Sequence, residues 1–176
     1  MAQERKGAVT LRGNPLTLAG PEIKAGQPAP DFAAVGTDLK EVRLADGRGK
    51  VLVLSSVPSL DTPTCDTETR RFNQEAAGLG DGVEVWTISM DLPFAQKRWC
   101  GAAGIDRVKT FSDFRHRTFG EAYGVRIVDG PIAGVNARAV FVVGKDGKVT
   151  HAQYVKEVSA EPDYEAVLSA ARAAAR

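Results

Sequence analysis

Two side chains in this sequence can do redox chemistry, Cys65 and Cys100, and they are its only cysteines. Cysteine sulfur reacts as the thiolate. The span between the two fits neither a zinc motif nor a C-x-x-C pair, which argues against a structural metal site and a vicinal dithiol. Taken alone, two such residues read more readily as small buried hydrophobes. Their neighbours separate the two readings. Cys65 falls shortly after the apolar run Val51-Leu52-Val53-Leu54 and three residues after Thr62, a plausible N-cap, with Pro63 suited to the first helical position. A thiol in the first turn of a helix faces unpaired backbone N–H groups and the positive end of the helix dipole, which favour ionised, nucleophilic sulfur. Arg138, in Asn136-Ala137-Arg138-Ala139-Val140, is a charge entering an otherwise apolar strand, and it needs a partner if buried.

The elements that must position these residues follow from periodicity. Residues 9–11 and 16–18 alternate around Arg12-Gly13-Asn14-Pro15, which predicts a hairpin over about residues 8–20. A turn-rich connector spans residues 21–30. The run at residues 51–54 reads as a strand buried on both faces, followed by a helix from Thr62 that stops at Gly78. Residues 83–88 alternate as a strand, and Pro93 opens a helix that carries Trp99 and Cys100 and closes at Gly101 and Gly104. Residues 108–111 predict a short strand and residues 117–123 a short helix. The runs 139–143 and 149–154 flank an Asp146-Gly147 turn, and Glu161-Pro162-Asp163 starts an Ala-rich terminal helix. This order predicts an α/β sandwich with a central mixed β-sheet flanked by helices, of thioredoxin type, with an added N-terminal β-hairpin.

Composition narrows the function classes. With 176 residues, 43% of them apolar, the chain can bury a real core, and a single domain over residues 1–176 is expected. The 23 basic and 22 acidic residues are interspersed, so no broad field attracts nucleic acid or anionic lipid. The polar start leads into no apolar leader region, and no stretch reaches the roughly 18 apolar residues of a membrane span. A soluble, cytoplasmic protein is expected. His116 and His151 have no cysteine or acidic neighbours at ligand spacing, so no metal is implied. Arg107, Lys109, Arg115 and Arg117 read as a solvated face.

The stretch Pro58-Ser59-Leu60-Asp61-Thr62-Pro63-Thr64-Cys65 resembles the active-site pattern of the peroxiredoxins: proline, three residues, threonine, two residues, cysteine. The run Asp66-Thr67-Glu68-Thr69-Arg70-Arg71-Phe72-Asn73 resembles the thiol peroxidase branch, the atypical two-cysteine peroxiredoxins. So do Asp91-Leu92-Pro93-Phe94-Ala95-Gln96 before Cys100 and Glu161-Pro162-Asp163-Tyr164 near the end. The resemblance covers about residues 9–170. It implies that Cys65 attacks the terminal oxygen of hydrogen peroxide or an alkyl hydroperoxide and becomes a sulfenic acid. Thr62 is implied to hydrogen-bond thiolate and peroxide, Pro58 to shield the sulfur, and Arg138 to stabilise charge on sulfur and on the breaking O–O bond. It further implies that Cys100 resolves the sulfenic acid as an intramolecular disulfide, that thioredoxin returns the electrons, and that the protein is a homodimer. No cofactor is implied, because sulfur carries the chemistry. A disulfide needs Cα atoms within about 7 Å, so thiols on separate helices require local unwinding near Cys65 and Cys100, which Gly101 and Gly104 make easier.

Other readings stand beside this one. A non-enzymatic thioredoxin-like binding or chaperone domain would leave both cysteines inert or redox-sensing. A protein-disulfide oxidoreductase is opposed by the missing C-x-x-C pair. A peroxidase could also use Cys65 alone and a partner's thiol for resolution.

Overall fold

A computed structural model describes residues 2–176. Its main sheet has seven strands. In chain order they are β3 (Ala33–Gly36), β4 (Glu41–Arg43), β5 (Val51–Ser56), β6 (Val83–Ser89), β7 (Val108–Ser112), β9 (Ala139–Val143) and β10 (Val149–Tyr154), arranged β10-β9-β5-β6-β7-β3-β4. Strands β5, β6 and β7 run parallel, and β9 returns antiparallel beside β5. A second sheet joins β1 (Glu4–Leu11), β2 (Asn14–Ala19) and β8 (Arg126–Ile127). The helices are α1 (Pro63–Ala76), α2 (Pro93–Ala103), α3 (Thr118–Ala122) and α4 (Tyr164–Ala175), with a 3-10 turn at Leu44–Gly47.

The continuous apolar run of β5 has its cause here, because the strand lies mid-sheet and is buried on both faces. Val51 and Val53 point to one face, where they meet Val85, Val140 and Val142 under Phe72 of α1 and Val167, Leu168 and Ala171 of α4. Leu52 and Leu54 point to the other, packing with Trp86, Phe141, Phe32, Phe119 and Tyr123, together with Val9, Leu16 and Leu18 of the hairpin. The hairpin thus contributes to the core.

Sequence expectation and structure differ at some edges. The hairpin strands run longer than residues 8–20 suggest, because Arg12 and Gly13, at φ 49° and 81°, make a two-residue turn that leaves Asn14 and Pro15 paired in β2. Strands β3, β4 and β8 carry no periodicity long enough to read, having four, three and two residues. Helix α1 ends at Ala76 rather than Gly78, and Gly101 lies inside α2, which closes only at Gly104 with φ 67°.

Register fixes the site. Ser56, the last residue of β5, pairs with Ala139, the first of β9, and the Ser56 hydroxyl donates to the Ala137 carbonyl at 2.8 Å. Arg138 is thereby held beside the carboxyl end of β5, where the loop to α1 begins. A one-residue slip would turn it to the opposite face.

Candidate active site

Pro58 is buried in the loop between β5 and α1, and the chain then rises to Thr62, which occupies the N-cap position of α1 with φ −100° and ψ 146°. Its side chain does not cap the helix. The hydroxyl instead lies 2.9 Å from the Ser59 carbonyl and 2.7 Å from the Cys65 sulfur. Pro63 removes one N–H at the helix start, and the N–H of Asp66 turns back to the Thr62 carbonyl at 3.0 Å. Cys65, in the first turn, is fully buried against Val57, Leu60 and Trp99.

Arg138 reaches the same sulfur from β9: its Nη2 donates to Sγ at 3.3 Å. The guanidinium is 1% exposed, so every donor needs a partner. Nε donates to the Val158 carbonyl at 3.0 Å and Nη1 to Glu68 at 2.5 Å. Glu68 is itself 0% exposed and accepts from the Ser55 hydroxyl at 2.8 Å. Burial pushes the Glu68 carboxyl above its ordinary range, with Arg138 and Ser55 opposing that rise. Burial also disfavours the Arg138 charge, but Glu68 and Cys65 outweigh it and hold the guanidinium above its usual value. Glu68 escaped the sequence expectations. It was findable there: it lies three residues after Cys65 on the inward face of α1 and supplies the carboxylate that a buried Arg138 demands.

The loop is braced from the turn that follows β6. Asp91 accepts from the Ser59 hydroxyl at 2.7 Å, the Leu60 N–H at 2.8 Å and the Ser89 hydroxyl at 2.7 Å. An ionised sulfur in this setting has two polar donors, an apolar wall and little water. That combination fits attack on a polarised O–O bond, with a fixed cation beside the departing oxygen.

Cys100 is not in this cluster. Half-buried on α2, its Sγ lies 3.5 Å from the Thr110 hydroxyl, and burial raises its thiol above the ordinary value. Both cysteines are free thiols. The structure therefore joins Cys65, Thr62 and Arg138, places Pro58 in the same loop, and leaves Cys100 apart.

The redoxin family model matches residues 24–168. The chain is 52% identical to the thiol peroxidase of Halalkalibacterium halodurans, over 95% of this chain and 98% of that one. The chain belongs to the redoxin family, among the thiol peroxidases. It is also 53% identical to the thiol peroxidase of Bacillus subtilis, over 94% of this chain and 96% of that one. A crystal structure of a peroxiredoxin-like protein from Aquifex aeolicus superposes with TM-score 0.90 at 46% identity, covering 96% of this chain and 98% of its own. As a thiol peroxidase the protein reduces peroxides with thiol electrons, on a peroxiredoxin-like fold. Among the described residues no helix is long and apolar enough to cross a membrane.

Proposed function

We propose that Cys65 is the peroxidatic thiol, attacking the terminal peroxide oxygen while Thr62 and Arg138 hold sulfur and leaving oxygen in line. The observation that carries this is the buried Cys65 sulfur with Thr62 Oγ1 at 2.7 Å and Arg138 Nη2 at 3.3 Å. The O–O bond breaks, water or an alcohol leaves, and Cys65 becomes a sulfenic acid. Pro58 closes the loop over the sulfur. Cys100 then condenses with the sulfenic acid, releasing water and forming a disulfide that thioredoxin reduces.

Cys100→Ser tests the division of labour. It should still consume one equivalent of peroxide at close to the normal rate, and its sulfenic acid should be trapped by dimedone. Thioredoxin-coupled turnover should fall sharply. Full coupled turnover, or an oxidised wild type whose peptide map lacks a Cys65–Cys100 bond, rules out Cys100 as the resolving thiol.

The homodimer that family resemblance implies has a candidate surface. Among the described residues the exposed large hydrophobics are Leu39, Leu92, Phe94 and Phe114, and all four line one groove with Val35 and Pro93, rimmed by Arg115 and Arg117. A concentrated apolar patch of this kind favours association. Phe94, 68% exposed, is its most prominent member. Phe94→Glu should shift the protein from dimer to monomer in sedimentation; a monomeric wild type, or an unaffected dimer, excludes this surface.

A further inference from the structure

Two consecutive residues of α2 point in different directions. Trp99 packs against Cys65, whereas Cys100 faces Thr110 of β7. A disulfide between Cys65 and Cys100 therefore requires the end of α2 to unwind and Trp99 to leave. What holds that segment sets how readily it opens.

The segment is fixed firmly on both sides and weakly in between. Upstream, Gln96 is fully buried, and its amide donates to the Ser89 hydroxyl at 3.1 Å and the Phe111 carbonyl at 2.9 Å. Downstream, Asn73 of α1 accepts from three successive backbone N–H groups, of Asp106, Arg107 and Val108, at 3.3, 2.8 and 3.1 Å. Within α2 only Pro93 and Gln96 are buried, so residues 97–103 have no deep anchor. Beyond the packing of Trp99 on Cys65 and the 3.5 Å approach of Cys100 to Thr110, their hold comes from two residues of α1, one turn apart. Asp66 accepts from the Trp99 indole N–H at 3.1 Å and from Arg70 Nε at 2.8 Å. Arg70 lies 5.8 Å over the Trp99 ring and donates to the Ala103 carbonyl at 3.3 Å, one of the unpaired carbonyls at the end of α2.

We infer that Asp66 and Arg70 are positioning residues that latch Trp99 and the end of α2 onto α1, and that opening this latch controls the resolving step. The inference rests on Cys100 being the resolving thiol. Asp66 directly follows Cys65, so unwinding the first turn of α1 withdraws the acceptor from Trp99, and release of one helix end loosens the other. The carboxylate and guanidinium are 35% and 48% exposed, which keeps their mutual attraction small and the latch easy to open. The latch keeps the folded pocket closed for attack on peroxide, then yields for condensation of Cys65–SOH with the Cys100 thiol, which forms the S–S bond and releases water.

Rapid mixing with hydrogen peroxide, followed by acid quench and mass spectrometry, separates the two steps. Asp66→Ala loses both the indole acceptor and the arginine partner. It should speed the peroxide-independent formation of the Cys65–Cys100 disulfide by roughly three- to tenfold, the size expected for losing one or two modest polar contacts. Arg70→Gln and Asp66→Asn, which keeps one acceptor oxygen, should fall between it and the wild type. In Arg70→Gln the rate of the first, peroxide-dependent step should stay within about twofold, because an exposed charge contributes little there. The yield of Cys65 sulfinic acid at high peroxide should drop as resolution quickens. General loosening of the fold would slow the first step as well, so the split between steps identifies the latch. Unchanged or slower disulfide formation in all three variants overturns the inference. Absence of the disulfide in the wild type overturns the resolving role of Cys100 instead.

Discussion

Cys65→Ser should abolish peroxide turnover while leaving the fold in place. The reaction oxidises the attacking atom, and a serine oxygen can neither ionise at neutral pH nor give up the electrons that sulfur gives. The replacement is close in size, and it keeps the Thr62 hydroxyl and Arg138 within reach of a polar atom. Arg138 also retains Glu68 and the Val158 carbonyl, so no buried charge is stranded. The cost in stability should therefore stay below about 1.5 kcal/mol, the range for near-isosteric core changes. Reductant consumption in a thioredoxin-coupled assay and a thermal melt measure the two parts. Turnover near the wild-type rate removes Cys65 from the chemistry.

Arg138→Ala should damage both rate and fold, for separable reasons. Loss of the fixed cation beside sulfur and leaving oxygen should slow Cys65 oxidation by roughly 10²- to 10³-fold, as for removal of one preorganised donor. Loss of the ion pair leaves Glu68, 0% exposed, without its counter-charge, which costs about 3–5 kcal/mol when one partner of a buried pair is removed. The pH dependence has a definite sign. Burial already raises the Glu68 carboxyl, and removing Arg138 takes away the main opposing influence. In the variant the native state holds a proton that the unfolded state releases above the ordinary carboxylate value of 4.5. Stability should then fall as pH rises through and beyond that value. Adding Glu68→Gln to Arg138→Ala should recover much of the stability and none of the rate. An oxidation rate unchanged by Arg138→Ala takes the guanidinium out of the mechanism, and a stability loss that Glu68→Gln leaves untouched refutes the stranded-charge account.

Much of this site was legible in the sequence because its parts violate local rules. A cysteine beside a Thr-Pro helix start and an arginine in an apolar strand each ask for an explanation, and the structure answers both with one contact. Glu68 stayed hidden because a glutamate in a helix is ordinary until the helix's inward face is known. Thr62 was read correctly by position, but backbone capping and sulfur binding compete for one hydroxyl, and here the cap is absent. Strands β3, β4 and β8 were unreadable for another reason. They are too short for a period to declare itself, and tertiary pairing rather than propensity forms them. The division of α2 into a buried first turn and a lightly held end was likewise beyond periodicity, since Trp99 and Cys100 both look like core residues on a helical wheel.

The Thr62 hydroxyl owns a single hydrogen and has two claimants, the Ser59 carbonyl at 2.9 Å and the Cys65 sulfur at 2.7 Å. A protonated sulfur can offer its S–H to the threonine oxygen, which leaves the threonine hydrogen for the carbonyl. Once the sulfur ionises it becomes an acceptor only, and the hydroxyl must swing about its C–O bond to face it. The Ser59 carbonyl then keeps one donor of its two, the Thr62 backbone N–H at 3.0 Å. One rotating hydrogen thereby writes the charge state of the nucleophile into the backbone of the loop that encloses it.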